Sequence, residues 1–373
     1  MAVISLKCPN CDGELIFDPS SGKYKCEYCF SLFSQEELDA MQPATAPEQS
    51  EAKQSEDGQE NAGGQDASNA SDAESGQEAS GQEQEAVIYT CPSCGAQIVT
   101  DETTAATFCY YCHNPVVLGG RVSGEFLPDK IIPFEIDRKE AEKKFLDYVG
   151  KKKFVPRFFF QKKQIEKMTG VYFPYWLYDV SLEGNLEAEA KKTRVWVSGE
   201  EEYTETKIYS IEREGTVDLN HLAMDALQKA NKTLIEGVLP YQFDKMKDFT
   251  IGYLSGFQAE KRDIEKEKYK AQAEQEMQGY AKNLMRESVD GYGSVTVKNS
   301  HFHTKQDLWN YVLLPVWTVT YRAKNGKIFY YSMNGQTGKV CGELPIDYKK
   351  LGLLSGIVSA VVLVLALIGG FLL

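Results

Sequence analysis

Apolar and polar positions follow different patterns in different parts of this 373-residue chain. Residues 1–40 and 87–120 alternate apolar and polar positions over a few residues at a time, which predicts small strands. Residues 41–86 between them contain no aromatic residue and no Ile, Leu or Val. Such a segment cannot bury enough apolar surface to offset the entropy of ordering, so we expect a disordered acidic linker.

The body of the chain, residues 121–348, mixes helical and strand patterns. The spacing of its apolar positions predicts helices over 139–149, 219–230 and 257–289. In the first of these, three residues share one helical face: Ala141, Phe145 and Val149. The third is highly charged at its start and apolar at its end. Its charged part either projects as a surface for a coiled-coil partner or is a solvated helix face.

Strict alternation predicts strands in the rest of the body, over 171–183 and over segments of 186–213. Near the end, three alternating segments separated by Asn-Gly turns predict an antiparallel meander over 316–322, 328–332 and 339–344. The body is therefore expected to have an α+β fold with antiparallel strands.

Two short motifs in the body recur. Ile132-Pro-Phe-Glu-Ile-Asp137 resembles Leu239-Pro-Tyr-Gln-Phe-Asp244, and Phe173-Pro-Tyr-Trp176 resembles Leu314-Pro-Val-Trp317. The members of the first pair lie 107 positions apart and those of the second pair 141 positions apart. The sequence thus predicts two degenerate α+β halves without demonstrating a clean duplication.

An uncharged stretch, residues 351–373, closes the sequence. A helix of this length spans roughly 34 Å, and the hydrocarbon core of a bilayer is about 30 Å thick. Lys349 and Lys350 precede the stretch and no charge follows it, so the positive-inside rule places the N-terminal side in the cytoplasm. We expect residues 349–373 to be a single-pass transmembrane tail anchor of the cell membrane.

Length, composition and the lack of a signal-peptide pattern indicate that the rest of the chain lies in a reducing compartment. An apolar share of 42% over this length allows two or three domains, which need no disulfides for stability. No signal-peptide pattern precedes Cys8.

The net charge is −13, but residues 41–86 hold 11 acidic residues and one basic residue. The acidity therefore belongs mainly to the linker.

Eight of the nine cysteines form two quartets with the same spacing, CxxC, fourteen residues and CxxC. Four thiolates complete a closed tetrahedral zinc site, which is structural rather than hydrolytic. A region of about 30 residues cannot build a sufficient core, so metal binding supplies its folding energy. The sequence predicts two zinc ions, one held by Cys8, Cys11, Cys26 and Cys29 and the other by Cys91, Cys94, Cys109 and Cys112.

The role of the two zinc ribbons depends on their surface. Ribbons that bind nucleic acid need basic residues, but residues 1–40 hold seven acidic residues and three basic ones. Aromatic residues beside the knuckles are more typical of cover for the small core than of base stacking: Tyr28, Phe30, Phe33, Tyr110 and Tyr111. We therefore favour protein partners over nucleic acid. Because the linker separates the ribbons, we expect each to fold independently.

A basic patch lies in the body, because residues 138–168 hold eleven basic and four acidic residues. It faces anionic membrane lipid, binds nucleic acid, or is a solvated helix face beside core aromatics.

No catalytic constellation is visible in the sequence. Asn334-Gly-Gln-Thr-Gly-Lys339 lacks the first glycine and the Ser/Thr of a phosphate-binding loop, and it suits a hairpin turn better. His301 and His303 have no third metal ligand beside them. We predict that the chain is not an enzyme.

These features together resemble a family of membrane proteins of Gram-positive bacteria that carry TFIIB-type zinc ribbons. The resemblance rests on the two Cys-Pro-x-Cys knuckles and on Ile132-Pro-Phe, Gly170-Val-Tyr-Phe-Pro-Tyr-Trp176, Leu313-Leu-Pro-Val-Trp317 and Asn334-Gly-Gln-Thr-Gly338. Members are often labelled replication-restart-helicase-like, but this chain has no Walker A motif. Relatives in envelope-stress operons help to place phage-shock-protein-A-like and SPFH-domain proteins at the membrane, so the resemblance implies partners of these classes.

The sequence thus predicts a non-enzymatic, membrane-anchored zinc-ribbon scaffold that recruits cytoplasmic proteins to the membrane. Its expected parts are two Cys₄ ribbons, an α+β body and one C-terminal transmembrane helix. The alternative is a membrane-tethered nucleic-acid-binding protein, which the acidic ribbons disfavour.

Overall fold

The computed structural model describes residues 3–41, 87–95, 97–109, 114–156, 168–230, 232–322 and 328–372. Three predicted features lie outside the described residues: the linker beyond residue 41, the Asn325-Gly326 turn and residues 157–167 of the basic patch. The described residues combine helices with largely antiparallel sheets, which confirms the predicted α+β class.

Most secondary structure belongs to strands. In chain order these are β1 Val3–Ile4, β2 Leu15–Asp18, β3 Lys23–Cys26, β4 Leu32–Phe33, β5 Val87–Thr90, β6 Gln97–Thr100, β7 Thr104–Phe108, β8 Pro115–Leu118, β9 Lys130–Ile131, β10 Thr169–Ser198, β11 Glu201–Asp225, β12 Lys247–Asp248, β13 Gln258–Glu260, β14 Ser294–Arg322, β15 Ile328–Asn334 and β16 Val340–Gly342. The α-helices are α1 Gln35–Met41, α2 Arg138–Gly150, α3 Lys232–Gly237, α4 Lys270–Glu287 and α5 Tyr348–Leu372.

The antiparallel pair β10–β14 forms the centre of an eleven-stranded sheet. On the β10 side lie β11 and, through β13, the strands β7, β8 and β1. On the β14 side lie β9 with β12, and the predicted meander β14–β15–β16. The first ribbon has its own small sheet of β2, β3 and β4, and β5 pairs with β6.

The body is built from two copies of a β-α-β-β unit. The first copy is β9, α2, β10 and β11, and the second is β13, α4, β14 and β15. β9 runs parallel to β14 and pairs with it at Leu313, and β13 runs parallel to β10 and pairs with it at Tyr172. Leu313 and Tyr172 are 141 positions apart, the same separation as the two recurring Pro-x-Trp motifs. Phe173 pairs with Leu314, so a local two-fold axis passes through this pair.

The recurring tryptophans fix the same contact in both copies. The indole N–H of Trp176 donates to the carbonyl of Ile264 at 2.8 Å, and that of Trp317 donates to the carbonyl of Ile136 at 3.0 Å. The predicted match of 173–176 with 314–317 is thus a structural equivalence. The resemblance of 132–137 to 239–244 is not a structural equivalence. Trp317 contacts Ile136 in the first of these segments, whereas Trp176 contacts Ile264, which follows β13 and lies outside 239–244.

The first predicted helix is confirmed as α2. Asp137 caps it by accepting a hydrogen bond from the backbone N–H of Glu140 at 2.7 Å, and the predicted apolar face is buried. The predicted helix at 219–230 was wrong, because β11 continues to Asp225 and pairs with β10 on both sides of a bulge between Leu219 and Leu222. Its apolar spacing suits a helix, but pairing with a central strand satisfies the backbone better than a short isolated helix.

The third predicted helix begins later than its charge pattern indicates. α4 starts at Lys270, after β13 and a short turn. Its buried residues recur every four positions and lie against the sheet: Ala273, Met277, Ala281 and Met285. A projecting charged end and a coiled-coil surface are therefore not supported.

Strands β10, β11 and β14 extend beyond the body as an arm. β10 alone contains 30 residues, about 100 Å if straight at roughly 3.3 Å per residue. Thr169 at one end of β10 pairs with Thr318 near β15, whereas Ser198 pairs with Glu201 at the far hairpin tip. β14 reaches only to Lys191, so the last part of the arm is a two-stranded ribbon.

One glycine allows the three strands of the arm to approach closely. Gly184 in β10 pairs with Gly215 in β11 and with Phe302 in β14. A Cβ added at Gly184 would collide with the backbone carbonyl of His301, whereas one added at Gly215 would meet nothing within 4 Å.

We expect Gly184→Ala to destabilise the arm by about 2 kcal/mol, because the backbones must move apart. Gly215→Ala, the matched control, should change stability by less than about 0.5 kcal/mol. Hydrogen exchange of the β10 and β14 amides in the full-length protein measures both effects. Equal protection in the two variants would contradict the close approach.

Candidate metal centres

The first cysteine quartet is assembled from two tight knuckles at the ends of the ribbon strands. Cys8 and Cys11 precede β2, and Cys26 ends β3. The Cys8 and Cys29 sulfurs lie 3.6 Å apart, and those of Cys11 and Cys26 lie 3.5 Å apart. A zinc ion with Zn–S bonds of about 2.3 Å needs tetrahedral edges of about 3.8 Å. The quartet thus has the shape of a closed Zn²⁺ site, as the sequence predicted.

Three knuckles in the described part of the chain turn on the residue that follows their second cysteine. Asp12, Phe30 and Gly95 have φ angles of 58°, 59° and 74°. The backbone N–H of Phe30 donates to the carbonyl of Cys26 at 3.1 Å, and that of Gly95 donates to Cys91 at 2.9 Å. Only glycine adopts this left-handed conformation without cost, so the two non-glycine residues are strained.

The thiols of the first quartet resist joint ionisation in the absence of a cation. The Ser31 hydroxyl and the Ser31 backbone N–H lower the pKa of Cys29 to about 6. The backbone N–H of Gly13 favours the Cys11 thiolate, but the neighbouring thiols of Cys29 and Cys26 outweigh it and raise the pKa of Cys11 to about 12. A divalent cation at the centre would remove this conflict.

The second quartet follows the same plan. Cys91, Cys94 and Cys109 lie together, with the Cys94 and Cys109 sulfurs 3.7 Å apart. Cys112, the fourth predicted ligand, lies outside the described residues. Cys91 and Cys109 are buried and Cys94 is exposed, like their counterparts Cys8, Cys26 and Cys11.

The two ribbons contact each other, contrary to the expectation that they fold independently. β1 of the first pairs with β8 of the second. The buried carboxylate of Glu14 accepts hydrogen bonds from Ser93 at 2.6 Å and Asn114 at 2.7 Å, both in the second ribbon. A long linker permits this contact because closing a longer loop costs little additional entropy.

The first ribbon also docks on the body. The backbone N–H of Phe17 donates to the carbonyl of Ser255 at 3.1 Å, and the Ser255 hydroxyl donates to the carbonyl of Leu15. Phe17 packs edge-on against Tyr253 with ring centroids 5.2 Å apart. The ribbon therefore shares a core with the body.

A charged cluster joins the second ribbon to the body. Lys229 lies 2.7 Å from Asp101 of the ribbon and 2.9 Å from Glu260 of β13. Burial alone would raise the pKa of Asp101, but hydrogen bonds from Lys229 and Thr104 lower it to about 2. Burial raises the pKa of Glu260, and Lys229 offsets only part of this effect.

The aromatic residues of the first ribbon divide into two groups. Phe33 is buried in the small core, as expected for a covering residue. Tyr28 and Phe30 are each 70% exposed, so their expected role as cover was wrong. Tyr110 and Tyr111 of the second ribbon lie outside the described residues.

Sequence reasoning missed the residues that hold the ribbons in place. Glu14, Lys229 and Ser255 each contact a different ribbon or the body through a partner 79 to 240 positions away. They carry no local motif, so no spacing rule identifies them.

We expect two zinc ions per chain by elemental analysis of the freshly purified, reduced full-length protein. Cys11→Ser should lower the content to one, because it removes one thiolate of a closed site. Cys341→Ser, outside both quartets, should leave it at two. One zinc or none in the unmodified protein would refute the assignment.

We expect Lys229→Met to destabilise the protein by about 2 kcal/mol at pH 7, because two neighbouring carboxylates lose their cation. Lys232→Met is the control, since its partner Glu236 is exposed and such pairs contribute little. Asp101, with its lowered pKa, contributes stability above its unfolded pKa near 4 and loses it as the pH falls toward 2. The effect of Lys229→Met in urea unfolding should therefore shrink between pH 7 and pH 3. An unchanged difference would contradict the ionic origin.

Comparison with known proteins yields a relative of the same length. An uncharacterized protein of Bacillus subtilis (strain 168), YdjG, is 35% identical over 373 residues, which covers 99% of each chain. No family model matches the chain, and no solved structure matches it. Because the similarity extends over both cysteine quartets, the body and the apolar helix, the chain belongs to the family of Bacillus subtilis YdjG.

Proposed function

We propose that the chain is a non-enzymatic, membrane-anchored zinc-ribbon scaffold that recruits cytoplasmic proteins to the membrane. The observation that carries this proposal is the exposed aromatic pair Tyr28 and Phe30 beside the first quartet. Phe30 has a left-handed backbone, which costs a non-glycine residue roughly 1–2 kcal/mol, and its exposed ring gains little burial in return. The exposed ring of Phe30 at this strained position is suited to contact with another protein.

The arm supplies a second exposed surface far from the body. Near its tip, Trp196 and Tyr203 stack with ring centroids 5.7 Å apart, and both side chains are more than 40% exposed. Exposed aromatics are typical anchors of protein interfaces. Their distance from the membrane helix suits the capture of partners that are otherwise soluble.

The anchor in this proposal is α5. Of the helices in the described part of the chain, α5 is long and apolar enough to cross a membrane, and none of its window Tyr348–Leu365 is buried. Lys349 and Lys350 precede its apolar part, which favours a body on the cytoplasmic side. Zinc thiolates also require a reducing compartment.

Resemblance guides the choice of partners. The zinc-ribbon membrane proteins that the sequence resembles place phage-shock-protein-A-like coiled coils and SPFH-domain proteins at the membrane. We propose partners of these two classes, in the response to envelope stress.

Nucleic acid is the second candidate partner. Lys25 lies over the Phe30 ring, with its ammonium 6.0 Å from the centroid, and a cation beside an aromatic face suits a stacked base and its phosphate. The acidic balance of the first ribbon opposes this, because phosphate binding needs an excess of basic charge.

Two glycine substitutions separate recruitment from folding. Phe30→Gly and Asp12→Gly each relieve a left-handed non-glycine residue in the same ribbon, so both should retain two zinc ions and equal or higher thermal stability. Only Phe30→Gly removes the exposed ring. We expect it to lower co-sedimentation of a purified partner of either class with vesicles carrying the full-length protein by about tenfold.

Equal co-sedimentation for Phe30→Gly, Asp12→Gly and the unmodified protein would refute the knuckle as a docking surface. Tight nucleic-acid binding that weakens steeply with salt, together with no binding of either protein class, would favour the second candidate.

A further inference from the structure

A pocket of about 470 Å³ lies where α2 ends and the chain enters α5. The wall formed by the end of α2 and the residues after it includes three consecutive lysines, Lys151, Lys152 and Lys153, beside Tyr148, Phe154 and Val155. The opposite wall is apolar and comes from the segment between β16 and α5, including Leu344 and Ile346. The pocket therefore combines a cationic side with an apolar side.

Hydrogen bonds fix the pocket at the first turn of α5. The backbone N–H of Asp347 donates to the carbonyl of Phe154 at 2.6 Å, and the ammonium of Lys350 donates to the carbonyl of Val155 at 2.8 Å. Asp347 in turn accepts a bond from the backbone N–H of Lys349 at 3.1 Å. If α5 spans the bilayer, these bonds place the pocket at the level of the lipid headgroups.

The lysines of the pocket are available for an external anion. All three are exposed, and among the described residues none of them forms an ion pair with a carboxylate. Lys152 lies over the ring of Tyr148, with its ammonium 5.0 Å from the centroid, which holds this side chain toward the pocket. The position after the end of α2 favours cations through the helix dipole, but it does not explain the facing apolar wall.

Ile346 supplies part of that apolar wall, and it is 52% exposed two positions before Tyr348, the first residue of α5. A soluble anion such as phosphate would use the lysines and leave this wall in water. A phospholipid carries an anionic phosphate joined to glycerol and acyl chains, so it satisfies both walls.

We propose that this pocket binds the headgroup of an anionic phospholipid in the leaflet next to the body. Lys151, Lys152 and Lys153 face the phosphate, and Leu344 and Ile346 face the glycerol and the first acyl methylenes. This inference rests on the membrane span of the proposed function, but not on the recruitment of partners.

The test uses the full-length protein in a neutral detergent. The protein is mixed with equimolar phosphatidylglycerol and phosphatidylcholine of different masses, and the retained lipids are counted by native mass spectrometry. We expect phosphatidylglycerol to be retained at least tenfold over phosphatidylcholine. The triple variant Lys151→Gln, Lys152→Gln, Lys153→Gln should lose this preference, since each lysine near an anionic surface contributes about fivefold.

A charge-matched control carries Lys192→Gln, Lys207→Gln and Lys305→Gln, three exposed lysines of the arm. It should retain phosphatidylglycerol within about twofold of the unmodified protein. A further variant, Ile346→Asn, keeps every lysine and should also weaken lipid retention. Zinc content and thermal unfolding of each variant show whether it is folded, independently of lipid.

Equal loss in the two triple variants would overturn the pocket, because only total charge would then matter. Displacement of the lipid by millimolar inorganic phosphate, with Ile346→Asn behaving like the unmodified protein, would show a soluble-anion site instead. Partner co-sedimentation of the pocket variant reports separately on the proposed function, so failure of one inference is distinguishable from failure of the other.

Discussion

The antiparallel pairing of β10 with β14 is the contact on which the rest of the structure depends. It joins the two β-α-β-β units about the Phe173–Leu314 pair, and every other strand of the large sheet attaches to one of its two edges. Both strands are buried on both faces in their central part, where tyrosines, tryptophans and aliphatic residues fill the core. The pairing joins segments far apart in sequence, so the two halves are held in one cooperative unit rather than in two domains.

The two cysteine clusters are built into this unit rather than separated from it by flexible segments. The first ribbon shares aromatic contacts and backbone hydrogen bonds with the body, and Glu14 connects it to the second ribbon. Zinc binding energy is folding energy in small ribbons. A metal ion bound at either cluster would therefore stabilise contacts with the body as well as its own ribbon.

The proposed function depends on the surfaces that this packing leaves exposed. The exposed aromatic residues Tyr28 and Phe30 lie on the first ribbon beside its cysteine cluster, and Trp196 and Tyr203 lie on the paired strands of the arm. The lysine-lined pocket and the apolar helix lie at another place in the fold, joined by hydrogen bonds to the end of α2. The exposed aromatic residues and the apolar helix thus occupy different parts of the fold, as the proposed scaffold requires.

Local rules determined much of this protein from its sequence alone. Cysteine spacing predicted the cluster of the first quartet, and helical periodicity predicted α2. Alternation with Asn-Gly turns predicted the β14–β16 meander, and the uncharged stretch predicted a helix able to span a bilayer. Each of these is fixed by neighbours within about 30 positions. Only the tertiary structure decided that β11 replaces a predicted helix, that α4 docks along its length, and that the ribbons join each other and the body. Those outcomes depend on partners more than 40 positions away, such as Tyr175 for Asp225 and Ser93 for Glu14, and local periodicity contains no information about them.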